Sequence, residues 1–258
     1  MLSTADFRRI KIETGNYGYQ GYRDNAGRKW MMKYSDCDKE AIAYSLATYL
    51  RVKAPKVKPI VDSEDPSYSA HIVEYFDNAS VAEDWRAKVV LHLLNGKKPY
   101  VRPSFVKSAI RMAAFDALHL DNDRHDQNYM VVEQSGWPVL ASIDLEGAFE
   151  VYASVNFDVR PLSQVIRNSD ILVTFFGDGK HDGRWVKKDQ QMNLNPKDYF
   201  TPTEARRLID RVKNLDVDAY AKKMVPVLYY GAERADLVKA NLTLQRDQIA
   251  LDLAAWLL

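Results

Sequence analysis

The sequence predicts an α+β fold of two unequal lobes, a small β-rich lobe followed by a larger helical one. Three observations lead there. Residues 7–35 alternate between apolar and polar side chains, the two-residue period of half-buried strands. From residue 81 onward the apolar spacing changes to the helical period and keeps it for most of the remaining chain. Between them lies a short connector near "YFDNAS", which divides the chain into lobes of residues 1–78 and 79–258. With 258 residues there is ample material for a large core.

In order along the chain, "FRRIKIETG" and "YQGYRDNAGRKWMMKYS" read as strands, with "DNAG" as a hairpin turn. A helix runs through "KEAIAYSLATYL", capped by Asp36 or Asp38. Pro55 and Pro59 close that region, and "KPIVD" and "AHIVEYF" are two further strands around a turn at "SEDPSYS". "AEDWRAKVVLHLLNG" is an amphipathic helix stopped by Gly96. Residues 104–118 are apolar on nearly every side, which predicts a buried helix. Two strands, "YMVVEQ" and "WPVLASID", follow a polar loop and are joined by a turn at Ser135 and Gly136. The remainder is mostly helical, apart from an irregular stretch near residues 177–191.

Composition removes several classes of function. A net charge of +1 offers no field for nucleic acid or an anionic membrane. A single cysteine, Cys37, excludes a disulfide framework and a cysteine-based zinc site. The first residues lack the apolar run of a secretory signal, and the longest apolar runs, 89–94 and 253–258, are too short to cross a bilayer. The expectation is a cytoplasmic protein without nucleic-acid partner or stable membrane insertion. A chain exported by a dedicated secretion machine reads the same way.

The polar loop "HLDNDRHDQN", residues 119–128, holds three aspartates, two histidines and two asparagines between two apolar elements. A calcium loop fails, because position six is Asp126 rather than glycine and position twelve is Val132 rather than glutamate. A zinc site on His119 and His125 lacks a third ligand at standard spacing, and neither a G-x-S-x-G elbow nor a Walker A loop occurs. The glycines at 15, 18 and 21 do not have the dinucleotide spacing. Phosphoryl transfer fits better. It needs a carboxylate to orient the attacking hydroxyl, then an amide oxygen and a second carboxylate to hold Mg²⁺ on the phosphates. Asp123 and Asn128 have the five-residue separation that protein kinases use, and Asp144 sits at the end of the following hairpin in "VLASIDLEGAF".

The first lobe supplies the other half of such a site. Lys33 ends a strand, in position to reach the phosphates, with Met31 on its face to line the adenine. Glu40 lies early on the next helix, in position to hold the lysine. Gly15 and Gly18 belong to the hairpin expected to cover the phosphates, and the connector at Glu74 and Phe76 is expected to present backbone groups to adenine. Each residue alone has a plainer reading: Asx turns for the loop, a solvated strand-end lysine, a glutamate favoured at a helix start. Their order along one chain favours a bilobal protein-kinase-like fold using ATP and Mg²⁺.

These residues also resemble a known family. "FDALHLDNDRHDQNYMV" is similar to the D-x-x-x-x-N-x-D-R-H-x-x-N segment of HipA-like kinases and the phosphatidylinositol 3/4-kinase superfamily, shared by the actin-fragmin kinase type. "IDLEGAF" resembles their I-D-x-x-x-A-F metal-binding strand, and "KEAIAYSLATYL" their lysine-partner helix. The resemblance implies Asp123 as catalytic aspartate, Asn128 and Asp144 as Mg²⁺ ligands, and Lys33 as the phosphate-binding lysine. It implies Asp116 as the residue that ties down the catalytic loop, with Arg124 and His125 as loop-ordering groups. Two departures stand out: Asp121 replaces the usual asparagine, and "TGNYGYQG" carries tyrosines where small residues are usual. The chain is short for a HipA toxin, which suggests a minimal HipA-like kinase. The expected reaction is that of a serine/threonine kinase acting on a protein hydroxyl. A phosphoinositide or small-molecule kinase, and a pseudokinase binding module, are the alternatives. Trp185, among cations in the irregular stretch, is either an acceptor-docking residue or an anchor onto the helical lobe.

Overall fold

The computed structural model describes residues 3–10, 20–34, 37–61, 69–77, 79–97, 99–120, 126–134, 136–145, 149–178 and 186–258. The first sheet contains β1 (Arg8–Ile10), β2 (Gly21–Arg23), β3 (Lys29–Lys33), β4 (Val57–Val61) and β5 (Ser69–Glu74), in the antiparallel order β1-β2-β3-β5-β4. Asp24 builds the β2–β3 turn. Its carboxylate accepts from the Ala26 and Arg28 amides, and Gly27 takes a φ of 79° that only glycine adopts without strain. Tyr22, Trp30, Met32, Ile60, Ala70 and Ile72 bury one face of this sheet as a small core, with Phe7 against its edge.

The other face rests on α1 (Cys37–Leu50). This helix starts one residue before Asp38, which therefore sits in its first turn rather than at the cap. Asp36 and residues 63–68 of the turn "SEDPSYS" lie outside the described residues. Ile42, Ala43, Leu46, Ala47 and Leu50 join the main core of the molecule, and Tyr49 Oη donates to the Arg211 carbonyl at 2.8 Å. Buried on the side away from the sheet as well, α1 is a shared wall of both lobes.

The connector is not a free linker. Its last residues form β6 (Ala79–Val81), which pairs with β7 (Tyr129–Gln134), and β7 in turn pairs with β8 (Trp137–Ser142) in a second antiparallel sheet. Sequence alone hid this strand because three residues are too few to show a period. α2 (Ala82–Leu94) ends with Gly96 at a φ of 68°, as the stop signal predicts. α3 (Pro103–His119) begins with proline at its first helical position and buries residues on every side, from Phe105 to His119. Behind it lie α4 (Leu162–Asn168), α5 (Asp170–Phe176), α6 (Pro202–Lys213), α7 (Val217–Met224) and the long α8 (Ala235–Leu257). Ile249, Leu253 and Leu257 of α8 are buried, so the apolar C-terminal residues belong to the core. α8 also reads the segment that leads away from the hairpin: Asn241 donates to the Tyr152 and Ser154 carbonyls, and Gln245 exchanges two hydrogen bonds with the Arg160 backbone. Among the described residues no helix is long and apolar enough to cross a membrane.

Candidate active site

Strand alternation decides where Lys33 points. Trp30 and Met32 face the small core, so Met31 and Lys33 project from the opposite face, toward α1. Lys33 is 8% exposed, and its ammonium lies 2.7 Å from Glu40 Oε1 and 3.1 Å from Asp144 Oδ1. One cation thus joins a strand of the first sheet, the interlobe helix and the end of β8.

Glu40 is 2% exposed, and its second oxygen lies 2.6 Å from Nε2 of His71, which is fully buried on β5 opposite Lys33. Burial alone would raise the Glu40 pKa, but the His71 hydrogen bond and the Lys33 charge overcome it and hold the carboxyl below its usual range. An ionised carboxylate only accepts, so His71 Nε2 carries the proton and donates. His71 is the site residue that sequence reasoning missed. The alternation of "AHIVEYF" puts it on the face of Val73, but only the β3–β5 register sets it opposite Lys33.

Asp144 follows β8 in the left-handed region, at a φ of 53°, a conformation aspartate tolerates better than most residues. Its side chain is 44% exposed. Asn128 ends a short 3-10 turn (Asp126–Asn128) and is buried. Its carbonyl accepts from the Ile143 amide at 3.0 Å, which brings Asn128 and Asp144 to adjacent strand ends. Asp116, buried on α3, accepts from the Tyr129 hydroxyl at 2.6 Å, so it fastens the residue after the loop. The loop's other end is held as firmly. Leu120 turns out of α3 at a φ of 51°, Phe149 donates its amide to the His119 carbonyl, and Tyr152 Oη donates to the Leu118 carbonyl. Phe149 also meets the His119 ring edge-on at 5.3 Å. Asp123, Arg124, His125, Gly15, Gly18 and Trp185 lie outside the described residues.

At the connector, the Glu74 amide donates to Lys56 and the Tyr75 amide to Lys29. Any adenine contact there falls to carbonyls or to the backbone from Phe76 onward. The Phe76 ring carries Lys53 at 5.1 Å. A second tie missed in the sequence is Lys39 of α1, 2.5 Å from Glu150 just beyond the hairpin.

No protein-family model matches the chain, and no curated protein sequence matches it. Its structure resembles that of CtkA, a Helicobacter pylori proinflammatory kinase, over 99% of this chain and 97% of that one, with a TM-score of 0.52 and 11% identity. The fold is bilobal and kinase-like. At this identity the likeness is one of architecture, so any activity rests on this chain's own residues.

Proposed function

We propose that the protein is an ATP- and Mg²⁺-dependent phosphotransferase, a minimal HipA-like serine/threonine kinase whose acceptor is a protein hydroxyl. The observation that carries this reading is Lys33, held at 2.7 Å by Glu40 and at 3.1 Å by Asp144. A kinase needs an ammonium on the first sheet, braced by a helix carboxylate and facing a metal-binding carboxylate across the cleft. The kinase architecture of the structural neighbour supports the same reading.

The donor set fits a magnesium ion. Among the described residues no three His, Cys, Asp or Glu side chains cluster as a protein metal cage. Mg²⁺ in kinases takes only one or two protein carboxylates, with phosphates and water filling the rest. Asp144 and Asn128, hard oxygen donors at adjacent strand ends, would hold it, and the ion neutralises phosphate charge when bound. Lys33 would bind the α and β phosphates of ATP, with Met31 beside the adenine. Asp123 would orient the acceptor hydroxyl and take its proton as the oxygen attacks the γ-phosphorus and the bond to the leaving ADP oxygen breaks. With lobes of 1–78 and 79–258, the adenine would lie at the connector of Glu74 and Phe76.

Incubation with γ-labelled ATP and a cell lysate tests this. Labelled protein bands are expected with the native chain and not with Asp144→Asn. Equal labelling by the variant would overturn the assignment.

A further inference from the structure

A cavity of about 520 Å³ lies beside the connector, lined in part by Glu74 and not by Lys33. Arg51, Lys53 and Lys56 line it from the segment after α1, and Lys107 and Arg111 line it from α3. Among its described lining residues Glu74 is the one carboxylate. Lys107 is paired outward to Glu204 at 2.7 Å, but Arg51, Lys56 and Arg111 form no ion pair among the described residues. Burial, then the charge of Arg51, push the Arg111 pKa below the ordinary guanidinium range against the opposing charge of Glu204, and burial and Arg51 act likewise on Arg211 nearby. Cations gathered in a half-buried space repel one another, and this concentration stands out in a chain whose net charge is only +1.

The backbone adds an independent sign. α1 ends with Arg51 in the left-handed region at a φ of 60°, the position that glycine normally fills. The turn is closed by Val52 donating to Ala47 and Arg51 to Thr48. An arginine is therefore kept at a strained position on the cavity rim. The next residues are pinned to the other lobe, where the Ser142 amide donates to the Lys53 carbonyl at 2.9 Å.

We infer that this cavity binds a small solute carrying two or more phosphate groups, held by Arg51, Lys53 and Lys56 on one side and Lys107 and Arg111 on the other. The size suits a headgroup-sized ligand rather than a polymer. Guanidinium forks match phosphate oxygens in pairs, while the lysines act as point charges. A ligand gripping both the α1–β4 segment and α3 would brace the lobes from behind. Such binding is independent of phosphoryl transfer at Lys33.

The test is a thermal-shift titration of the full chain with inositol hexakisphosphate and with tripolyphosphate at constant ionic strength, sulfate serving as control. A saturable rise in Tm is expected for the phosphates and not for sulfate. Arg111→Gln is expected to weaken binding about ten-fold or more, the scale of a lost charge-assisted contact. Arg51→Gly also weakens binding while raising the Tm of the free protein, since it relieves the left-handed strain. Co-sedimentation with phosphatidylcholine vesicles containing phosphatidylinositol bisphosphate decides the source: Arg111-dependent capture means a lipid headgroup, and none means a soluble phosphate. The inference is overturned if no saturable shift appears, or if Arg51→Gly and Arg111→Gln bind like the native chain.

Discussion

Lys33, Glu40 and His71 form a buried chain in which each polar group depends on the next. Removing an inner member leaves a charge without its partner in a dry place. His71→Ala is therefore expected to destabilise the protein by about 1–3 kcal/mol and to lower nucleotide affinity, because Glu40 loses the donor that keeps it ionised. Chemical denaturation together with ATP titration checks both, and an unchanged midpoint would show that His71 is incidental. Asp116→Ala follows the same logic. It removes the acceptor that Asp116 offers the Tyr129 hydroxyl and should cost about 1–3 kcal/mol together with activity. Asp144 differs, since its exposed side chain makes little contribution to folding. Asp144→Asn keeps a residue that tolerates a φ of 53°, so its Tm should stay close to native. Lys33, Glu40 and Asp144, which the structure brings together, could be named from the sequence because their order along the chain matches the one kinases use. His71 could not, because a strand's face is legible but its neighbour's register is not.

At the scale of elements, α1 matters most. Its apolar residues face both the first sheet and the large core, where Leu46 is 1% exposed. Leu46→Ala should cost about 2–5 kcal/mol and reduce activity as well, since Glu40 rides on the same helix. A melting curve paired with a transfer assay would show whether the two losses travel together. The helix was evident from its residues, while its role as a wall between lobes was not, because only tertiary packing tells which of two apolar sides meets which neighbour. The same limit hid β6, whose three residues acquire meaning only by pairing with β7. α6 gives a pH prediction. The Lys107 hydrogen bond, aided by the Thr201 amide, lowers the Glu204 pKa from 4.5 to about 2. A carboxyl depressed on folding contributes stability above its unfolded value and loses it as pH falls through the folded one. Glu204→Gln should thus be slightly less stable than native at neutral pH, by under about 1 kcal/mol. The gap should close between pH 4.5 and about 2, as paired melts in that range would reveal.

For the molecule as a whole, one continuous core runs from α1 through α3 to α8, and the small sheet carries its own lesser core on the far side. The change from strand period to helix period announced this division, and the fold shared with the Helicobacter pylori kinase agrees with it. What the pattern could not announce was how the lobes are joined: α1, the Lys39–Glu150 pair and the Lys53–Ser142 hydrogen bond all cross the junction. These ties hold Lys33 and Asp144 within reach of each other. The measurement that tests this account most directly is calorimetric titration of ATP into the native chain and into Asp144→Asn, each with and without Mg²⁺. The account predicts that Mg²⁺ strengthens ATP binding to the native chain and has little effect on the variant. Equal Mg²⁺ dependence in both proteins, or no ATP binding to the native chain, would contradict it.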